Sequence, residues 1–383
     1  MDVLYCLSPD FSFVDNHALT DPAFSAGLLN NSSGKVLLLN AETAALLTVF
    51  RGAASVTDAV RFFAQQLDAP TADIYAVVWA SVETFERQGI LITTKFLRQK
   101  AAHPFPALQS GTHIKGYSVV KELSATPPIG IYLVKTQSGK RCVLKKLFIH
   151  PKAPQRVIRT QKEKFAYEFE LLDHLKGCPS VGSLIEFDPD ETIGVTDYFA
   201  GVSMRRFMNG NHENRPTATR LSLFCQLLDC MAGLHSRDVL HGDVHYSNVL
   251  VNKKGQLRLI DFDLAFFWRD RAKKKLTYGG ITDFLPPERV TDDAFHQSTG
   301  APDFRAEVYQ IGILGYFIFQ GRLPFVGHTW RELVSTIRNN ALVWETPVPV
   351  AIREIIETAL CKQPAERFAS AVAMRAATGR AMQ

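Results

Sequence analysis

The chain has 383 residues, enough for two or three domains with sizeable cores. Its hydrophobic share of 46% and charged share of 21% are ordinary for a globular protein and exclude a disordered or membrane class. The net charge of +5 is uneven, because the first 100 residues carry −3 and the remainder carries +8. The second part of the chain therefore suits an anionic ligand.

The apolar runs and the cysteines indicate the compartment. The longest apolar run, residues 311–319, is too short to span a bilayer and predicts a buried helix. The N-terminus carries no recognisable signal peptide. The six cysteines show neither metal-like nor disulfide-like spacing. These observations predict a cytoplasmic protein with reduced thiols and no membrane partner.

Residues 1–95 predict a small α+β domain of winged-helix type. Short strands are expected near residues 3–7, 11–14 and 35–39, between turn-forming residues. Three helices follow: one from about Ala41, between Asn40 as N-cap and Gly52, one after Thr57, and one over about residues 71–88 that ends at Gly89. The last helix carries one apolar stripe, formed by Ile74, Val77, Val78, Val82 and Phe85.

Three stretches of this domain carry a family resemblance: residues 38–47, residues 55–67 and residues 85–91. They resemble the PqqD-like peptide-recognition domains (RiPP recognition elements) of ribosomal peptide-modifying systems. The resemblance implies a peptide partner that adds as a strand in a groove between residues 35–39 and the helix of residues 74–85. A scaffold or dimerisation role stays an alternative, and the charge of −3 disfavours nucleic acid as a partner.

Residues 96–115 predict a linker, because they are basic, contain Pro104 and Pro106 and lack periodicity. Strands are expected after it, at about residues 117–121, 129–135 and 141–148. In the last of these, Lys145 emerges from an apolar stretch, and the neighbouring Lys146 points to the opposite face. The region from 116 to 200 therefore predicts a mostly β lobe.

A helix in this lobe carries two glutamates near its centre. Glu168 shares its side of the helix with Leu171, Leu172 and Leu175, and for that reason we prefer it to Glu170 as a buried functional group.

The strongest functional signal is the stretch of residues 241–248, His-Gly-Asp-Val-His-Tyr-Ser-Asn. Asn248 follows Asp243 by five residues, and a predicted hairpin with an Asn/Gly turn leads on to Asp261. The hairpin should bring Asn248 and Asp261 together. Amide and carboxylate oxygens suit Mg²⁺ beside substrate phosphates, and Asp243 is then free to receive a proton from a hydroxyl.

The pattern H-x-D-x-x-x-x-N followed by Asp-Phe resembles the catalytic loop and metal-binding aspartate of protein kinases. Further signatures extend the resemblance over residues 116–375. It implies a bilobal protein-kinase-like domain, with a small lobe over 116–200 and a large lobe over 201–383, that uses ATP and Mg²⁺. The implied roles are catalytic base for Asp243, metal ligands for Asn248 and Asp261, and phosphate grip for Lys145 paired with Glu168.

The same resemblance implies the rest of the nucleotide site and one ion pair. Backbone groups from Asp197 to Phe199 would bond the adenine, with Thr196 behind the pocket, and Gly130 would lie at the phosphates. Glu288, in Pro-Pro-Glu, would pair with Arg367.

Several positions depart from the kinase pattern. Pro127 and Pro128 stand in the loop that is usually rich in glycine, so amides that would face phosphate are missing there. Gly242 replaces an arginine. Asp263 replaces a glycine. It is a candidate third metal ligand or, since aspartate tolerates left-handed backbone, a turn former. His245 stands where serine/threonine kinases carry a lysine that contacts substrate phosphate. It is a candidate contact for phosphate or for the acceptor. A histidine at this position resembles small-molecule and atypical kinases.

Together these features predict a phosphotransferase that uses ATP to phosphorylate a serine or threonine of a peptide held by the N-terminal domain. Two alternatives stay open. In one, the acceptor is a small hydroxylated molecule, as Gly242 and His245 indicate. In the other, the chain is a pseudokinase scaffold that binds nucleotide and peptide without transfer, as the two prolines indicate.

Overall fold

The computed structural model describes residues 4–8, 11–14, 26–30, 36–39, 41–50, 54–67, 71–87, 90–93, 108–126, 128–149, 155–209, 215–273, 282–290, 303–327 and 330–382. They fall into two compact units. The first runs to Pro104 and also takes in Gly327–Thr336, and the second holds the remainder of the described chain. No helix within these ranges is long and apolar enough to cross a membrane.

Among the described residues up to 93, the first unit contains two small antiparallel sheets and three helices. Its elements are β1 (Leu4–Leu7), β2 (Phe11–Val14), β3 (Ala26–Asn30), β4 (Val36–Leu39), α1 (Ala41–Val49), β5 (Ala54–Ser55), α2 (Val56–Leu67), α3 (Thr71–Arg87) and β6 (Leu91–Thr93). Strand β1 lies between β5 and β6, and β3 lies between β2 and β4. The predicted strands and helices are present. Strand β3 was not predicted, because none of its five residues is of the β-branched or aromatic types enriched in strands.

Helix α2 begins with a capping box. Ser55 Oγ accepts the N–H of Asp58 at 3.1 Å, and the Asp58 carboxylate accepts the N–H of Ser55 at 2.9 Å. This reciprocal pair starts the helix at Val56, ahead of the predicted start after Thr57. The predicted boundaries at Asn40, Gly52 and Gly89 lie outside the described residues.

Helix α3 packs its predicted apolar stripe on the core of the first unit. Val78 and Val82 are buried, and Ile74 and Phe85 pack partly buried against the same core; of the Val77 side chain nothing is described. On the outer side of the helix, the exposed rings of Tyr75 and Trp79 stack with 6.3 Å between centroids. The winged-helix assignment stays a prediction.

The second unit begins with an antiparallel sheet in the order β11-β12-β10-β9-β8-β7. Its elements are β7 (His113–Ile114), β8 (Tyr117–Thr126), β9 (Ile129–Lys135), β10 (Arg141–Leu147), α4 (Gln155–His174), β11 (Leu184–Asp188) and β12 (Ile193–Asp197). The predicted linker is described from Leu108 onward, and its end forms β7, which pairs with β8.

Helix α4 packs closely against this sheet. A Cβ on Gly194, in β12, would lie 1.9 Å from the ring of Phe169 on α4, so only glycine allows this approach. The close packing buries the neighbouring Glu168 against the sheet that carries Lys145 on β10.

The rest of the second unit is mainly helical. Its elements are β13 (Gly201–Ser203), α5 (Met204–Asn209), α6 (Thr217–His235), β14 (Val239–Leu240), β15 (Val249–Asn252), β16 (Leu257–Leu259), β17 (Phe266–Phe267), α7 (Phe304–Gln320), α8 (Trp330–Asn339, shared with the first unit), α9 (Val350–Ala359) and α10 (Ala371–Ala381). Short 3₁₀ turns lie at Trp268–Lys273, Thr282–Phe284 and Pro364–Glu366.

Helix α7 forms the centre of this region. It is the predicted buried helix: the Asp303 side chain caps its start, and Gly321 ends it at φ +72°. A Cβ on Gly315 would lie 2.7 Å from the Phe224 ring of α6, so this glycine lets the two helices approach closely.

Candidate functional site

Residues 241–248, here called the aspartate loop, are joined to Asp261 by the predicted hairpin of β15 and β16. The N–H of Ile260 donates to the carbonyl of Asn248 at 2.9 Å, so Asn248 and Asp261 lie at the same end of the hairpin. The turn at the other end opens at Asn252, whose side chain accepts two N–H groups of the turn. Local hydrogen bonding thus produces the predicted placement.

Asp243 is held from one side by two residues of its own loop. Asn248 Nδ2 donates to Asp243 Oδ2 at 3.1 Å and to the Asp243 carbonyl at 3.0 Å. His245 Nε2 lies 3.3 Å from the same Oδ2. His245 Nδ1 accepts the N–H of Ser247, so we infer that the ring proton is on Nε2 and points at Asp243. Both donors reach Oδ2, so Oδ1 is the oxygen that a hydroxyl proton can approach.

His241 anchors the start of the aspartate loop. Its Nε2 donates to the Ile260 carbonyl at 3.1 Å, and its Nδ1 accepts the N–H of Asp243 at 3.3 Å. The ring packs edge-on against Phe262, with 4.9 Å between centroids. The loop and the segment after the hairpin are therefore fixed to one another.

The buried carboxylate of Glu307 stabilises the aspartate loop through hydrogen bonds. Glu307, on α7, accepts the N–H of Gly242 at 2.7 Å through Oε1 and bonds His235 Nε2 at 2.9 Å through Oε2. The Nδ1 of His235 in turn accepts the N–H of Ala371. Sequence spacing did not predict this support, because 65 positions separate Glu307 from Gly242.

The local structure explains why position 242 holds a glycine rather than an arginine. Its φ is +78°, and a Cβ there would lie 2.4 Å from the carbonyl oxygen of Leu264. A side chain would therefore meet both backbone strain and a backbone clash.

Lys145 and Glu168, predicted to pair, form a buried ion pair. Lys145 Nζ lies 2.9 Å from Glu168 Oε1 and 2.7 Å from Oε2, and it also bonds Asp263 Oδ1. Burial by itself would lower the pKa of Lys145, but Glu168 and Asp263 outweigh it and raise that pKa. Desolvation acts to raise the pKa of Asp263, but the charge of Lys145 outweighs it and lowers that pKa. The lysine is therefore a firmly charged group.

Asp261, rather than Asp263, adopts the left-handed backbone, with φ +67°. Carboxylate oxygens of Asp261, Asp263 and Glu168 lie within 4.8 Å of one another. Desolvation, followed by the charge of Asp263, raises the pKa of Asp261. Such crowded carboxylate oxygens match the chemistry of a hard divalent cation, which fits Asp261 as a ligand of Mg²⁺. The assignment of Asn248 as its second ligand stays a prediction.

The loop expected to cover the phosphates falls between β8 and β9. Thr126 pairs with Ile129, so two residues connect β8 and β9; Pro127 lies outside the described residues. Gly130 pairs within the sheet, and a Cβ on it would lie 2.6 Å from the hydroxyl of Tyr132. Packing alone therefore accounts for this glycine, and its contact with phosphate stays a prediction.

The predicted adenine-binding stretch follows β12. The backbone N–H of Asp197 donates to Ser183, and its carboxylate bonds Arg258 at 2.6 Å. Asp197 therefore ties the stretch to Ser183, just before β11, and to Arg258 of β16. The contact of backbone groups from Asp197 to Phe199 with adenine stays a prediction. Thr196 is half-buried and pairs with Val143 of β10.

Glu288 and Arg367 form a two-pronged ion pair. Arg367 Nη1 and Nη2 lie 2.9 and 2.7 Å from the two Glu288 oxygens. The Arg367 side chain is fully buried and also donates to three backbone carbonyls, those of Cys361, Lys362 and Arg305. The pair thus joins the segment before α7 to the segment after α9.

Comparisons with known proteins identify a family and several relatives. A family model described as protein kinase domain matches residues 130–377. Aurora kinase of Dictyostelium discoideum is 24% identical over 242 residues, 62% of this chain and 59% of that protein. Serine/threonine-protein kinase PrkC of Bacillus subtilis is 22% identical over 277 residues, 70% and 40% of the two chains. Serine/threonine-protein kinase PknL of Mycobacterium tuberculosis is 30% identical over 191 residues, 48% and 45%. The chain thus spans about two to three fifths of the length of these relatives.

Proposed function

Because this chain belongs to the protein kinase family, we propose that it transfers the terminal phosphoryl group of ATP to a serine or threonine of a peptide held by its first unit. The observation that carries the proposal is a single cluster: Asp243 and Asn248 bonded to each other, Asp261 at the end of the hairpin, and Lys145 linked to that segment through Asp263.

Each residue has a role that follows from its contacts. Asp243 receives the proton of the attacking hydroxyl on Oδ1, while Asn248 and His245 hold Oδ2 in place. Lys145, oriented by Glu168, offers positive charge to phosphate oxygens. Asn248 and Asp261 would hold Mg²⁺, which when bound offsets the charge of the phosphates.

The first unit supports a peptide as the acceptor. Strand β4 is an edge of the described three-stranded sheet, and an edge strand can accept an added strand through main-chain hydrogen bonds. The exposed rings of Tyr75 and Trp79 on α3 offer apolar side-chain contacts. The PqqD-like sequence resemblance of this region agrees with such docking. A docked peptide gains a raised local concentration at the second unit.

Labelled phosphate transfer to peptides encoded beside the gene tests the proposal. We expect the Tyr75→Ala/Trp79→Ala double variant to raise the KM for the peptide while kcat and the KM for ATP stay unchanged. Phe62→Ala is the matched control, because Phe62 is an exposed aromatic residue on α2 outside this pair. An unchanged peptide KM in the double variant, or transfer to none of these peptides, would contradict peptide docking.

A small hydroxylated molecule is a second candidate acceptor. Gly242 and His245 favour it, because the loop holds a glycine and an Asp243-bound histidine where protein kinases carry basic residues. This version predicts turnover of the small molecule that is insensitive to the Tyr75→Ala/Trp79→Ala change.

A nucleotide-binding scaffold without transfer is the third candidate. Pro128, between β8 and β9, favours this candidate, because proline lacks a backbone N–H for phosphate. A thermal shift with ATP and Mg²⁺ measures binding, since ligand at 100 times Kd adds about 2.7 kcal/mol to stability. A clear shift without transfer to any acceptor would favour this candidate.

A further inference from the structure

The ammonium group of Lys145 has three N–H donors, and three carboxylate oxygens surround it. Two belong to Glu168, at 2.9 and 2.7 Å, and the third is Oδ1 of Asp263. The two Glu168 oxygens belong to one carboxylate and lie too close together to engage two diverging N–H groups, so Asp263 holds a separate donor of Lys145. A phosphate oxygen that approaches Lys145 on the side of Asp263 must displace that carboxylate.

Burial distinguishes the two partners of Lys145. The side chain of Glu168 is 7% exposed and fixed on α4, whereas that of Asp263 is 45% exposed. Removing a carboxylate from a buried ion pair is costly, but an exposed carboxylate regains hydration when it leaves. Asp263 is therefore the partner that leaves Lys145 when a phosphate binds.

The backbone around Asp263 is fixed, so the exchange needs only a side-chain rotation. The N–H of Ala265 donates to the carbonyl of Phe262 at 3.0 Å, and the Phe262 ring is buried against His241. Rotation of one short side chain would free the lysine donor without moving the segment.

We propose that Asp263 is an internal competitor of the nucleotide: its carboxylate occupies the Lys145 donor that a phosphate takes, and nucleotide binding displaces it. The inference rests on the proposed nucleotide site. Asp263 thereby weakens the binding of phosphates but not of the adenine and ribose. The competition is selective for ligands that carry enough charge to displace a carboxylate.

Calorimetric titration of the full-length chain with AMP-PNP and, separately, with adenosine tests the proposal, in buffer containing EDTA. We expect Asp263→Asn and Asp263→Ala to bind AMP-PNP about tenfold more tightly than the wild type, which is the scale of one hydrogen bond to a charged group. Adenosine affinity should not change. Glu163→Gln, which removes an exposed carboxylate from α4, is the matched control and should bind both ligands as the wild type does.

General charge repulsion would also weaken phosphate binding, and a second background separates the two effects. In the neutral background Lys145→Met/Glu168→Gln, adding Asp263→Ala should no longer tighten AMP-PNP binding. Tightening that persists there, or equal AMP-PNP affinities of wild type and the Asp263 variants, overturns the competition while leaving the nucleotide site intact. Failure of the wild type to bind either ligand overturns the proposed site and this inference with it.

Discussion

Glu307 accepts the backbone N–H of Gly242 at 2.7 Å, which ties the buried central helix α7 to the loop that carries Asp243. Its second oxygen bonds His235, whose Nδ1 is already used as an acceptor by Ala371. Glu307 therefore faces two donors, neither of which can become an acceptor. Only a group with two acceptor oxygens satisfies both.

Glu307→Gln should destabilise the second unit, because the amide offers one acceptor and turns its NH₂ group toward the other donor. We expect the free energy of unfolding to fall by about 1–3 kcal/mol, as for an unsatisfied buried polar group. Urea unfolding measures the change, with the exposed Glu163→Gln as control. Equal midpoints for both variants would show that the Glu307 contacts are dispensable.

Alanine substitutions at Gly242 and Gly255 distinguish the cost of backbone strain from the cost of a steric clash. Both have φ near +75°, but a Cβ on Gly242 would meet the Leu264 carbonyl at 2.4 Å, whereas nothing lies within 4 Å of a Cβ on Gly255. Gly255→Ala should therefore cost about 1 kcal/mol from strain alone, and Gly242→Ala distinctly more. Urea unfolding of both variants tests the difference, and equal losses would argue against the clash.

His245 should act on catalysis through Asp243 rather than through the nucleotide. His245→Leu removes the donor to Asp243 Oδ2, and we expect kcat to fall by about tenfold or more with the KM for ATP unchanged. His245→Gln keeps a donor and an acceptor and should restore part of kcat. A rise in the KM for ATP without loss of kcat would instead indicate a phosphate contact.

Lys362 should make stability depend on pH. Burial, followed by the nearby charge of Arg367, lowers the pKa of Lys362 to about 8, and its Nζ donates to the Ile337 carbonyl. An unfolded lysine holds its proton to about pH 10.4, so between pH 8 and 10.4 the unfolded chain binds more protons. The free energy of unfolding therefore rises with pH in this window, by on the order of 1–3 kcal/mol from this residue.

Urea unfolding at pH 7 and pH 10 checks this sign. Relative to Lys362→Met, the wild type should gain stability on going to pH 10, and the exposed control Lys176→Met should follow the wild type. A constant difference between wild type and Lys362→Met across the window would disprove the depressed pKa.

Much of the second unit could be predicted from the sequence because its signals are local. The spacing of Asn248 and Asp261 around two short apolar strands and a turn predicts their meeting at one end of a hairpin, as found. The burial of α7 follows from its continuous apolar run. Lys145 and Glu168 needed the family resemblance, since 23 residues separate them.

The contacts that the sequence did not predict join distant parts of the chain. Asp263 reaches Lys145 across 118 positions, and Glu307 reaches Gly242 across 65. Periodicity and spacing carry no information on such pairs. At Gly130 the sequence suggested a functional reason where a packing reason exists. The resemblance expected this glycine near phosphate, whereas the neighbouring Tyr132 side chain leaves no room for a Cβ there.

The most direct test of the central claim is transfer of labelled phosphate from ATP by the purified full-length chain, with nucleotide binding measured on the same samples. We predict that the wild type modifies an acceptor in the presence of Mg²⁺. Asp243→Asn should bind nucleotide equally well but lose at least about a hundredfold in rate, within the usual range for a proton-transfer group. The exposed control Asp190→Asn should retain full rate. Equal rates for Asp243→Asn and the wild type would contradict the assignment of Asp243 as the base.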